Sequence, residues 1–221
     1  MDENLNNYEF TRELEVETAG VDLKLLQYSV GDVGSVVWDA GIVLGKYLDN
    51  FQKTNDMLAG KIVIDIGSGT GVAGLFGAVL GAEVILTDLP EVIPLLEKNI
   101  ELNKNIIKGA ATASVLEWGK LDKNFPVPDL ILVSDCIYYD MSVEKLVPTL
   151  VELSDTSTEI LISYEDRVIG NKKELLKNFL DAFKKHFTVE IIPRTLHHPD
   201  FQSDDIHILK CKKIATQSED S

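Results

Sequence analysis

The sequence is poor in cysteine. Its two thiols, Cys136 and Cys211, stand far apart and fit no zinc or disulfide spacing. That excludes a disulfide framework and points to a reducing setting, cytoplasmic or nuclear. Long apolar runs are missing too, and none reaches the roughly 20 residues of a membrane-spanning helix. The opening Met1-Asp2-Glu3-Asn4 lacks the basic-then-apolar pattern of a secretory leader, so none is expected. Positive charge is scarce, with 21 Lys and Arg against 36 Asp and Glu and a net charge of −15. Phosphate backbones need a basic surface, so a nucleic-acid partner is disfavoured. An acidic surface keeps a protein soluble and can also steer a cationic partner. The four histidines, His186, His197, His198 and His207, form no recognised metal set, and no metal is expected. His197 and His198 read as a pair on a surface loop.

What the sequence has is a globular balance, 45% hydrophobic and 26% charged. Its length suits one domain, expected over residues 8–213, with flexible tails at 1–7 and 214–221. Phe10, Leu14 and Val16, then Val21, Leu23 and Leu25, recur at even spacing around Thr18-Ala19-Gly20. This predicts a β-hairpin with one buried face. Helical spacing runs over 35–51. Strands are then predicted at 61–66, 83–88, 112–116, 129–135 and 159–164, alternating with helices at 70–80, 90–105, 141–153 and 171–186. Such alternation means βαβ units and a parallel sheet. The last two strands, 187–192 and 205–211, have no helix between them and are expected to be antiparallel. The predicted class is α/β, a Rossmann-like seven-stranded sheet extended by an N-terminal hairpin.

The sharpest local feature is Asp65-Ile66-Gly67-Ser68-Gly69-Thr70-Gly71, where a buried strand runs into a glycine turn and a helix. Glycines let a ligand approach bare backbone, and a helix N-terminus offers unpaired N–H groups. Gly69-Thr70-Gly71-Val72-Ala73-Gly74 also fits the dinucleotide pattern G-x-G-x-x-G, so a nicotinamide-dependent oxidoreductase is one alternative. Counted from Gly67, the turn is G-x-G-x-G. Asp65 stands just before it, where a carboxylate could hold a cationic amino group but would gain nothing from a pyrophosphate. Asp88 ends the next strand, 21 residues after Gly67, placed for ribose hydroxyls or for a helix cap. Trp118 falls just past a strand end, where an indole packs on adenine or in the core. Asp135 ends the strand after that, and Tyr138 follows three residues later.

These blocks together resemble the methyltransferase-like 21 group of protein lysine methyltransferases, which carry an Asp-x-x-Tyr motif. The likeness covers residues 10–212. It rests on Leu26-Gln27-Tyr28-Ser29, Gly34-Ser35-Val36-Val37-Trp38-Asp39-Ala40, the glycine turn, Trp118-Gly119, Asp135-Cys136-Ile137-Tyr138-Tyr139 and Ser203-Asp204-Asp205-Ile206-His207-Ile208. Within the group it looks most like the branch that methylates valosin-containing protein, a hexameric ATPase. The resemblance implies the class I methyltransferase fold and S-adenosyl-L-methionine as cofactor. It implies cofactor contacts from Trp38, Gly67, Ser68, Gly69, Asp88, Trp118 and Ser134, beside the Asp65 read above. It places Asp135, Tyr138 and Glu165 at the methyl-transfer site. It also implies a protein substrate; a monomer is expected. Asp65 stands where that branch has glutamate, which keeps the charge, and Ser134 where it has alanine, so only backbone contacts transfer there. The Pro199–Ser203 stretch diverges and is expected to help read the substrate.

The chemistry fits those residues. A lysine must lose its proton before it attacks a sulfonium methyl, since its ordinary pKa is about 10.4. Asp135 is expected to attract the ammonium and orient the amine, and Tyr138 to wall the lysine channel. No dedicated base is assigned. Cys136 reads as a small buried filler. Other readings remain: a small-molecule or nucleic-acid methyltransferase on the same fold, and a binder that keeps the pocket without turnover.

Overall fold

The computed structural model describes residues 9–29, 33–53, 58–121, 125–167 and 170–215. The flexible ends expected at 1–7 and 214–221 fall almost wholly outside them. Strands β1 (Glu9–Val16) and β2 (Val21–Tyr28) form the predicted hairpin, with Leu14↔Leu23 and Val16↔Val21 in register. Its turn closes on Gly20, whose N–H donates to the Val16 carbonyl at 2.9 Å.

Seven further strands form one sheet. They are β3 (Ile62–Ile66), β4 (Glu83–Asp88), β5 (Ala110–Val115), β6 (Leu130–Ser134), β7 (Glu159–Glu165), β8 (Phe187–Ile191) and β9 (Ile206–Lys213). Their spatial order is β5-β4-β3-β6-β7-β9-β8. β3, β4, β5, β6 and β7 run parallel, while β9 runs antiparallel to both β7 and β8. The central strands read as unbroken apolar runs because helices cover both faces. On one face Val63 and Leu132 meet α1 (Asp39–Gln52), α2 (Val72–Val79), α3 (Ile93–Asn103) and the hairpin. On the other, Ile64, Ile66, Ile131 and Ile160 meet α4 (Val147–Leu153) and α5 (Lys172–Phe183).

The order reverses at β3, which has β4 on one side and β6 on the other. A crevice opens at such a switch point, beyond the carboxyl ends of the strands. Ile66, Asp88, Val115, Ser134 and Glu165 all end strands at that edge.

Two predicted helices are broken where the sequence suggested continuity. The 35–51 pattern is a 3-10 turn (Val33–Ser35), then extended backbone, then α1 from Asp39, so Trp38 is a loop residue at the helix entrance. The 141–153 pattern begins as a π-helical turn over Ser142–Leu146 before α4. Pro148 lacks an N–H and crowds the preceding turn, which accounts for the irregular ladder.

Candidate active site

The crevice is one cavity of about 650 Å³. Gly67, Ser68, Gly69, Asp88 and Trp118 line it, and so do Trp38, Ser134, Asp135 and Tyr138. Nine of the predicted cofactor or transfer residues therefore share one space, although they come from five separate segments of chain.

The glycine turn is built by conformation and by close approach. Gly67 has φ +62°, and a Cβ there would meet Cys136 Sγ at 2.7 Å and the Trp118 ring at 3.1 Å. Only glycine fits both conditions. The Gly69 N–H donates to Asp88 Oδ2 at 2.8 Å, and the Leu89 N–H to Asp88 Oδ1 at 2.8 Å. Asp88 thus locks β4 to the turn rather than capping α3, which starts at Ile93. The Ser68 hydroxyl is committed to the fold: it donates to the Asp65 carbonyl and accepts the Thr87 N–H at 2.9 Å. What Ser68 offers the cavity is backbone.

Asp65 corrects a sequence-based expectation. Its side chain is fully buried and is not on the cavity wall. Oδ2 accepts the Gly74 N–H at 3.0 Å, in the first turn of α2, and Oδ1 has no hydrogen-bond partner. Burial pushes the carboxyl up to about 7, against the Gly74 hydrogen bond and with the repulsion of Asp88. Gripping an amino group needs an exposed oxygen, so Asp65 acts by holding the turn against α2.

At the other end of the cavity Asp135 leaves β6 with φ +55°, alone among described non-glycine residues in having a positive φ. That conformation is uncommon outside glycine, though aspartate tolerates it better than most, and such backbone clusters at functional sites. Its N–H donates to the Ser163 carbonyl of β7 at 2.9 Å. The carboxylate accepts Arg167 Nη2 at 2.5 Å. Burial raises the Asp135 carboxyl above the usual carboxylate range, and the Arg167 charge opposes that rise. Tyr138 lies against Tyr139 at 4.4 Å between ring centroids, and its carbonyl accepts Lys172 Nζ.

Glu165 departs from its expected place. It does not line the main cavity but faces a smaller crevice of about 250 Å³ with Arg12, Asp39, Asp200 and Asp205. It reaches the site through Arg167, whose Nη2 it accepts at 3.0 Å. Arg167 is the residue that sequence reasoning missed. It bridges both carboxylates, and its guanidinium carbon lies 5.3 Å from the Trp38 ring centre. Its only signal in the sequence was a basic residue two places after Tyr164-Glu165. The histidine pair is also corrected: His197 and His198 are buried, and His198 Nε2 lies 2.5 Å from Glu17 Oε1 in the hairpin turn. Cys136 is buried as expected, and burial raises its thiol well above the ordinary value.

Comparison with known proteins adds a family. Residues 17–186 match the family described as lysine methyltransferase. The chain is 35% identical to protein-lysine methyltransferase METTL21E of Mus musculus over 81% of this chain and 71% of that one. It is 34% identical to protein N-lysine methyltransferase METTL21A of Danio rerio, over 85% and 81%. It is 29% identical to EEF1A lysine methyltransferase 3 of Xenopus tropicalis, over 91% and 85%. Among solved structures, the T. thermophilus 16S rRNA methyltransferase RsmC, in complex with AdoMet and guanosine, has a TM-score of 0.60 at 15% identity. That likeness spans 94% of this chain and 51% of that one, and it concerns the fold.

Proposed function

The chain belongs to the lysine methyltransferase family and is a protein-lysine methyltransferase, and on that footing we propose that it moves methyl groups from S-adenosyl-L-methionine to a lysine of valosin-containing protein. The observation that carries the donor is the cavity itself. One end joins bare backbone at Gly67–Gly69 to the Asp88 carboxylate and the Trp118 indole, which suits an amino-acid tail, a ribose and an adenine. The other end joins Asp135, Tyr138 and Trp38. A Cβ on Gly67 would collide with Cys136 Sγ and the Trp118 ring, so the turn stays bare only as glycine. We take residues 8–213 as one domain acting as a monomer in the cytoplasm, with access to the nucleus.

When bound, the donor supplies an electrophilic methyl group on a sulfonium. The residues do the rest by placement and by excluding water. Tyr138 and Trp38 wall the passage for an extended alkyl chain. Asp135 accepts a hydrogen bond from the amine and so aims its lone pair. The choice of acceptor protein rests on the resemblance to the branch that methylates that ATPase. The net charge of −15 disfavours nucleic acid as an acceptor.

The test is incubation with the labelled donor and purified valosin-containing protein, followed by mapping of the modified residue. Label on a single lysine is expected. Asp135→Ala should lower turnover by about 100-fold or more while S-adenosylhomocysteine affinity stays within about threefold. Full turnover by that variant would remove Asp135 from this role, and label confined to RNA or small metabolites would defeat the acceptor assignment.

A further inference from the structure

The acceptor end of the cavity is balanced in charge. Two carboxylates, Asp135 and Glu165, face the Arg167 guanidinium, which contacts both. A second cation, Lys172, also lines the cavity, with Nζ on the Tyr138 carbonyl and 5.8 Å from the Tyr139 ring centre. The Asp135 and Arg167 side chains are only 9% and 25% exposed, so water screens this pair weakly. A guanidinium does not give up its proton, and this one is neither acid nor base.

That balance bears on a problem set by the reaction. A lone buried carboxylate beside the reacting centre would hold a lysine as its ammonium, which cannot attack. Resting on the methyl-transfer reading above, we propose that Arg167 is a positioning residue that neutralises Asp135, so that the acceptor site takes lysine as the free amine. Asp135 keeps its role as a hydrogen-bond acceptor but loses the net charge that would retain the proton. The sulfonium adds positive charge to an end already balanced and disfavours an ammonium further. Trp38 faces the guanidinium in a cation–π contact at 5.3 Å. Glu165 holds it too, accepting from Nε at 3.2 Å and, at 3.0 Å, from the same Nη2 that meets Asp135, which explains a carboxylate close to the site but off its wall.

The test uses two donor analogues and no protein substrate. Sinefungin carries a primary amine where the donor carries its methylsulfonium, and S-adenosylhomocysteine carries neither. Calorimetry at pH 7 gives the ratio of their affinities in wild type, Arg167→Met, Arg167→Lys and Glu165→Gln. In Arg167→Met the uncovered Asp135 pairs with the sinefungin ammonium, and the preference for sinefungin rises by about tenfold. Arg167→Lys restores the charge and keeps the ratio within about threefold of wild type. Glu165→Gln leaves Arg167 to Asp135 alone, so the ratio falls or holds; this variant carries the test should Arg167→Met fail to fold. An unchanged ratio in Arg167→Met, an equal rise in Arg167→Lys, or a rise in Glu165→Gln overturns the inference while leaving the donor reading intact. If neither analogue binds wild type, the donor reading fails and the inference falls with it.

Discussion

Asp65 has one oxygen on the Gly74 N–H and the other without a hydrogen-bond partner, inside a fully buried pocket. Its carboxyl moves from an ordinary 3.8 to about 7, chiefly through desolvation. The folded state therefore holds this proton more tightly than the unfolded chain does. The resulting stability is complete below about pH 4 and is lost as the pH rises through about 7. Asp65→Asn removes the titration and keeps an acceptor for Gly74. Urea unfolding at pH 5 and pH 8 should show the variant gaining on wild type by roughly 2–3 kcal/mol across that window. Equal pH dependence would mean that the carboxyl is hydrated. At this scale residue identity was legible and direction was not. Asp65 is next to last in β3 and Asp135 is the first residue past β6, yet one carboxylate sits under the turn and the other on the cavity wall. Arg167 stayed hidden because it meets Asp135 from 32 residues away.

Helices α1 and α2 meet through small residues. A Cβ on Gly41 would lie 2.6 Å from Val72 Cγ1, and one on Gly45 would lie 2.5 Å from the Phe76 ring. This contact seats α1 against the sheet and so fixes Trp38 at its entrance. Gly45→Ala gains helix propensity worth up to about 1 kcal/mol, but the overpacking costs more. A net destabilisation of about 1–2 kcal/mol is expected in thermal unfolding, with S-adenosylhomocysteine affinity within about threefold of wild type. Gly67→Ala should act on the ligand as well. Its φ of +62° and the Cys136 and Trp118 contacts deform the turn, so affinity falls by about tenfold or more, beside a stability loss of about 1–2 kcal/mol from the left-handed backbone. Calorimetry and thermal unfolding on both variants separate the two. Element type was readable from periodicity here, whereas the break before Asp39 was not. Val36 and Val37 continue the helical spacing although the backbone around them is not helical.

The hairpin joins the rest of the molecule through side chains that act as a borrowed strand. Asn99 accepts the Leu26 N–H at 2.7 Å and donates to the Leu26 carbonyl at 3.1 Å and the Thr70 carbonyl at 2.9 Å. Asn103, one turn later on α3, treats Lys24 the same way. This covers the β2 edge, which would otherwise expose unpaired backbone. At the far end Asp49 of α1 accepts the Glu17 N–H at 2.7 Å and the Thr18 N–H at 3.1 Å in the turn. Asn99→Ala strands one buried and two part-buried backbone groups, so a loss of about 2–4 kcal/mol is expected. Faster amide hydrogen exchange at Leu26 than at Ile64 of the sheet would place the damage at the hairpin. Uniform acceleration would instead mean that hairpin and sheet unfold together.

The sequence by itself determined the class of fold, the strand that carries the glycine turn and the carboxyl edge to which the chemistry belongs. Those depend on local rules: apolar period, glycine where φ is positive, and a missing helix between the last two strands. Only the tertiary structure decided which carboxylate faces the cavity, that Arg167 closes a charge network with Asp135 and Glu165, and that asparagines on α3 hold the hairpin edge. Those outcomes depend on contacts between residues from about 30 to 80 positions apart, where burial and pairing, rather than spacing along the chain, set each side chain's role.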